Sequence, residues 1–152
     1  MQYVYALLVA LLVPLLVDLL AGSVVNAQSN ALFRVNGDAI AQPLAAAGDA
    51  TRGRALLLAR DPANCLLCHG LTDAAVRFSG NLAPPLDGAG NRLSPAQLRL
   101  RIADSSRINR DTIMPAYYKT GGLTAVAAQY AGKTVLSAQQ VEDLVVYLST
   151  LK

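Results

Sequence analysis

Cys65-Leu66-Leu67-Cys68-His69 holds both cysteines and the one histidine of this chain. C-x-x-C-H is the spacing of covalent c-type haem attachment. Two thiols three residues apart on one turn can each add to a haem vinyl group. The next residue's imidazole then faces the iron from the proximal side. Three other chemistries compete. A thioredoxin-type redox pair uses C-x-x-C in a βαβ context, which this stretch lacks, and it gives a following histidine no role. Zinc wants four ligands, usually Cys or His, and here two cysteines and one histidine are available with no second pair. A disulfide across two intervening residues closes a small, strained ring.

The distal ligand follows by elimination. Histidine is used up, and of the two methionines Met1 lies in a leader segment. That leaves Met114, in Ile113-Met114-Pro115, well after the haem motif. Filling a core gap is the commoner fate of methionine. A low-spin haem nevertheless needs a sixth ligand, and the chain has no other internal thioether. Lys119 and Lys133 are the fallback ligands. A Met/His pair raises the reduction potential, because a soft thioether favours ferrous iron.

Residues 1–27 read as a secretory signal peptide. An apolar run over residues 4–17 is followed by Gly22-Ser23 and by Val25-Asn26-Ala27, a small-residue cleavage site. The leader has no Lys or Arg, and Asp18 interrupts its apolar run. A retained membrane anchor is the alternative; Asp18 opposes it, since a charge at a helix centre costs about 2.5–3.5 kcal/mol. Cleavage before Gln28 would leave 125 of the 152 residues, enough for one domain, and would place the mature protein in the periplasm with no membrane attachment. The 13 Lys and Arg all lie in that mature part. Its mild positive balance suits acidic protein partners or anions. No long basic run or aromatic interleaving supports nucleic-acid binding.

The elements that must position these groups are helices. Residues 28–47 form an Ala-rich extension with a turn signal at Asn36-Gly37. Asp49 is placed to cap a helix over 50–60. Gly53 inside it would cost about 1 kcal/mol relative to Ala, which a close helix crossing would explain. Asp61-Pro62 stops the helix. Residues 70–92 read as loop, and a carbonyl of the Pro-rich stretch 81–86 is one candidate to hold His69 Nδ1–H; an ordinary surface turn is the other reading.

Ser94, Pro95 and Gln97 form a capping box with proline at the first helical position, and Leu93 and Leu98 a hydrophobic staple. Leu98 and Ile102 face inward. Arg92, Arg99, Arg101, Arg107 and Arg110 read as a solvated face with some contact to haem propionates; a docking surface is the sharper reading. Ser137 and Gln140 form a second capping box. Val141, Leu144, Val145, Leu148 and Leu151 recur at helical spacing, and Glu142 and Asp143 are read as charges serving the helix dipole. No strand run is convincing. The fold class is a small all-α haem domain over residues 48–152.

This order resembles the class I cytochrome c fold. It resembles one family most closely, SoxX, the monohaem subunit of the SoxAX sulfur-oxidation complex. The matching stretches are Gly48-Asp49-Ala50 with Arg52 to Leu56, Asn64 to His69, Gly80-Asn81-Leu82 with Pro84-Pro85-Leu86, and Arg92-Leu93-Ser94 with Gln97-Leu98-Arg99. Met114 to Tyr118, Gly132-Lys133 and Leu136 to Leu148 complete the set, so the similarity spans nearly all of residues 35–152. The haem motif is generic; the Met loop and the tail are specific. Ala83 departs from the family, which has glycine before the paired prolines.

The resemblance implies one covalent haem c per chain, attached at Cys65 and Cys68, ligated by His69 and Met114, with the Pro84 carbonyl contacting His69. It implies a heterodimer with a SoxA-type cytochrome and transient contact with the carrier protein SoxYZ. It also implies an electron-accepting role while thiosulfate is coupled to a carrier cysteine, and a downstream electron acceptor. No catalytic residue is expected in this chain. Attachment consumes both thiols, and no second histidine is available as a base, so it is not a thiol catalyst by itself. A freestanding periplasmic electron carrier is the second reading. The discriminating stretch is the 22 residues between Met114 and Ser137. With Tyr117, Tyr118 and Tyr130, it is longer than a minimal carrier needs and suits a permanent interface.

Overall fold

The computed structural model of the chain describes residues 32–152. The leader, its cleavage site and the first residues of the extension lie outside the described residues. The described residues hold four α-helices in order: α1 (Ala50–Leu58), α2 (Ala89–Arg92), α3 (Pro95–Asp104) and α4 (Ala138–Thr150). Short 3₁₀ turns occupy Cys65–Leu67, Ser105–Arg107 and Ala128–Tyr130. Among the described residues, strand pairing is confined to two isolated bridges, Asn36 with Ala39 and His69 with Ala83. No described helix is long and apolar enough to cross a membrane.

The helix starts are local devices. The Asp49 carboxylate accepts the Arg52 N–H at 2.8 Å. Ser94 with Gln97, and Ser137 with Gln140, form complete capping boxes that satisfy otherwise orphaned N–H groups. Leu57, Leu98, Ile102, Val141, Leu144, Val145 and Leu148 are buried together in one core. Its principal seam joins α1 to α4. Gly53 is what lets them meet: a Cβ there would collide with the Asp143 carbonyl and the Tyr147 side chain. A second cluster of Ile40, Leu100 and Ala103 joins residues 33–44 to α3. There the Ile40 N–H bonds the Ala96 carbonyl at 3.0 Å.

Three expectations are corrected. Arg99 is not on a solvated face; it is 5% exposed. Its Nε and Nη2 meet the two oxygens of Glu142 at 2.7 and 2.8 Å, and its Nη1 donates to the Ile40 carbonyl at 2.7 Å. Glu142 and Asp143 lie beyond the first turn of α4 and serve as cross-element anchors. Besides Arg99, Glu142 accepts the Leu44 N–H at 2.9 Å. Asp143 accepts the Asp49 N–H and a fork from Arg52, all at 2.8 Å, and Arg52 foremost pulls its carboxyl down to about 2. Finally, the stretch read as loop over 70–92 ends in helix α2.

Candidate haem-binding site

The haem motif is folded as a single tight turn. Asn64 enters it in the left-handed region, at φ 47°. The Cys68 and His69 N–H groups then both bond the Cys65 carbonyl, at 3.2 and 3.1 Å. This turn places Cys65, Cys68 and His69 on the wall of one cavity of about 600 Å³, within the roughly 300–1,000 Å³ typical of cofactor sites. No disulfide joins Cys65 to Cys68, so both sulfurs can serve attachment. Before attachment, burial pushes the Cys65 thiol up to about 11.

The loop after the motif runs alongside it in register. Gly80 N–H bonds Leu66 O at 2.8 Å, Ala83 N–H bonds Cys68 O at 3.0 Å, and Leu86 N–H bonds Gly70 O at 2.9 Å. Gly80 permits this approach, since a Cβ there would strike the Leu67 carbonyl. Ala83 sits in the His69 bridge and is not among the positive-φ residues, so this backbone makes no demand for glycine. The register carries the Pro84 carbonyl to 2.7 Å from His69 Nδ1. A carbonyl only accepts, so Nδ1 carries the proton and Nε2 is left with the lone pair that a metal needs.

Arg92 fixes this loop from behind. Its Nη1 donates to Asp87 O at 2.6 Å and its Nη2 to Pro85 O at 2.7 Å. The arginine-rich stretch therefore divides into distinct roles, which composition could not separate. Arg99 is buried in an ion pair, and Arg92 clamps the proline loop. Arg92 and Arg101 also line the cavity, where they offer the positive charge that haem carboxylates require. Arg107 and Arg110 are exposed.

Met114 lines the same cavity from the far side of the sequence, half-buried against the main core. Lys119 and Lys133 do not line it. Lys119 Nζ is instead 3.0 Å from Asp104 Oδ2, and Lys133 is exposed. Tyr117 turns inward: it is buried and its hydroxyl donates to Ala63 O at 3.0 Å. Burial, above all, holds that hydroxyl up to about 12. Tyr118 is half-buried, its ring 6.3 Å from that of Phe33. Of the tyrosines in this segment, Tyr117 is therefore core and Tyr118 stays partly accessible.

The remaining lining includes Leu57, Leu86, Leu98, Ile102, Leu144 and Leu148. An apolar slot with two thiols, an oriented imidazole and a thioether on its walls has the donor set of a c-type haem. The residues present fit that group.

The cytochrome c family model matches residues 50–152. A chain in the crystal structure of SoxXA from P. pantotrophus is 37% identical, with a TM-score of 0.70; the match covers 78% of this chain and 93% of that one. Comparison with curated proteins finds no significant match. With the haem-attachment turn, the apolar cavity and these similarities together, the chain belongs to the cytochrome c family, as a SoxX-type electron-transfer cytochrome with covalently bound haem c.

Proposed function

We propose that the chain is the monohaem, electron-accepting subunit of a SoxAX-type complex, which oxidatively couples thiosulfate to a cysteine of a SoxYZ-type carrier. The observation that carries the haem part of this reading is the cavity itself. It brings His69, locked by Pro84, and Met114 into one apolar slot. Bound there, the haem supplies a one-electron ferric/ferrous couple. Cys65 and Cys68 would hold it by thioether bonds. His69, its tautomer and ring orientation set by Pro84, and Met114 would ligate the iron, and the soft sulfur of Met114 would favour the reduced form. The leucines of the slot exclude water, which raises the potential further.

With an imidazole and a thioether both offered to the metal, the chain would relay electrons without performing the sulfur chemistry. The SoxA-type partner is inferred from the similarity to the SoxXA structure. Export to the periplasm, with cleavage before Gln28, accords with the leader residues. One haem per chain accords with the single C-x-x-C-H motif.

A freestanding electron carrier is the second reading. The burial of Tyr117 favours it, because it removes one side chain that an interface would have used. Reconstitution separates the two. The purified holoprotein should show no thiosulfate turnover alone, and turnover should appear when a SoxA-type cytochrome and the carrier are added. Turnover by the chain alone rules out a pure relay. Failure to bind the SoxA-type partner leaves the free carrier.

A further inference from the structure

Asp104 is the last residue of α3, and it is 1% exposed. A carboxylate is poorly placed at a helix C-terminus, where the dipole is negative, and burial adds a desolvation cost. Its Oδ1 accepts a bond from the Ser106 hydroxyl. Oδ2 is fully buried and makes no hydrogen bond of good geometry. Its compensation is charge: Lys119 Nζ at 3.0 Å and Arg107 Nε at 3.5 Å.

Those two cations sit at opposite ends of one loop. Arg107 is near its start and Lys119 near its end, with Met114 between them. The loop base is zipped to α3 at the same place: Tyr117 N–H bonds Ile102 O at 3.3 Å and Tyr118 N–H bonds Ala103 O at 3.1 Å. Within the loop, Met114 N–H bonds Thr112 Oγ1 at 3.2 Å. A buried anion in an unfavourable place thus gathers both ends of the segment that carries the thioether.

We propose that Asp104 is a positioning residue for Met114, its carboxylate latching the 105–118 loop shut through Lys119 and Arg107 so that the thioether stays on the haem. This rests on Met114 being the distal ligand. The latch predicts that weakening it raises the fraction of molecules in which the loop has swung away, while the helical core persists.

Imidazole reports that opening directly, because it binds ferric haem only when the thioether has left. The haem-loaded protein, as isolated, is titrated with imidazole, following the sulfur-to-iron charge-transfer band, and global unfolding is measured in parallel by circular dichroism. Asp104→Asn should raise the apparent imidazole affinity about tenfold, the scale of losing one charge-assisted contact. Lys119→Gln should act in the same direction, and the double variant should be no weaker at holding the loop than either single variant. Wild-type affinity in both single variants overturns the latch. So does an effect confined to the unfolding midpoint, or a double variant equal to the product of the singles. If Asp104→Asn does not fold, Lys119→Gln decides alone, and an affinity within twofold of wild type overturns the proposal. A wild-type protein without the charge-transfer band refutes ligation by Met114 and the latch with it; a normal band with unresponsive variants refutes only the latch.

Discussion

Glu142→Gln tests the energetics of the fold at its most sensitive point. The side chain is nearly isosteric, so packing is preserved and the change is electrostatic. Glu142 is 4% exposed and Arg99 5%, and the pair is held by two bonds of 2.7 and 2.8 Å. Replacing one carboxylate oxygen by an NH₂ group turns a donor toward the guanidinium. Arg99 then stays charged and buried with no anion beside it, its partners being the Ile40 carbonyl and the one amide oxygen. Either orientation of the amide also sets the Leu44 N–H contact against one with Arg99.

Breaking a buried ion pair from one side costs about 3–5 kcal/mol, because the surviving charge is uncompensated. A domain of this size should lose roughly 10–20 °C in Tm for that cost. Replacing both partners, as Arg99→Met with Glu142→Leu, removes both desolvation penalties and should be milder than either single change. Denaturant unfolding of the holoprotein, followed by circular dichroism, measures Glu142→Gln, Arg99→Met, Glu142→Leu and the double variant. A loss under about 1 kcal/mol for Glu142→Gln, or a double variant whose loss equals the sum of the singles, would refute the reasoning.

Four further outcomes are expected. Met114→Ala should abolish the sulfur-to-iron band and lower the potential; an unchanged ferric spectrum would mean that another group is the ligand. Gly53→Ala should lower the unfolding midpoint even though Ala is the better helix former by about 1 kcal/mol, because its Cβ meets the α4 backbone; a stabilised variant would contradict the close crossing. Asp143 has a folded pKa of about 2, set first by Arg52, against about 3.9 unfolded. Its contribution is therefore present above pH ~4 and lost as pH falls through ~2. With Arg52 largely in solvent, the effect is roughly 1–2 kcal/mol, and Asp143→Asn should flatten the acid limb of the stability profile between those values. Mass spectrometry of protein from the periplasmic fraction should give a chain starting at Gln28 plus one haem; a full-length form extracted from membranes would exclude cleavage there.

The residues legible in the sequence were those whose partners lie within a few positions. C-x-x-C-H declares its chemistry because attachment needs two thiols and an imidazole on one turn. Both capping boxes close between residues three apart, and the apolar face of α4 repeats at the helical period. Met114 stood out through scarcity, as the one internal thioether. What only the tertiary structure decided depends on pairs far apart in the chain. Arg99 and Glu142 are separated by 43 positions, and Arg52 and Asp143 by 91. No local pattern distinguishes those side chains from solvated ones, so Arg99 read as surface and Glu142 and Asp143 as dipole charges. The inward turn of Tyr117, which bonds Ala63 54 positions away, shares that cause; the Arg92 clamp and the Asp104–Lys119 pair are nearer in sequence but depend on the path of an irregular loop that no periodicity predicts. Charge and hydrogen-bonding capacity are written in each residue, but the desolvation that gives them their energy arises only where distant segments are packed against each other.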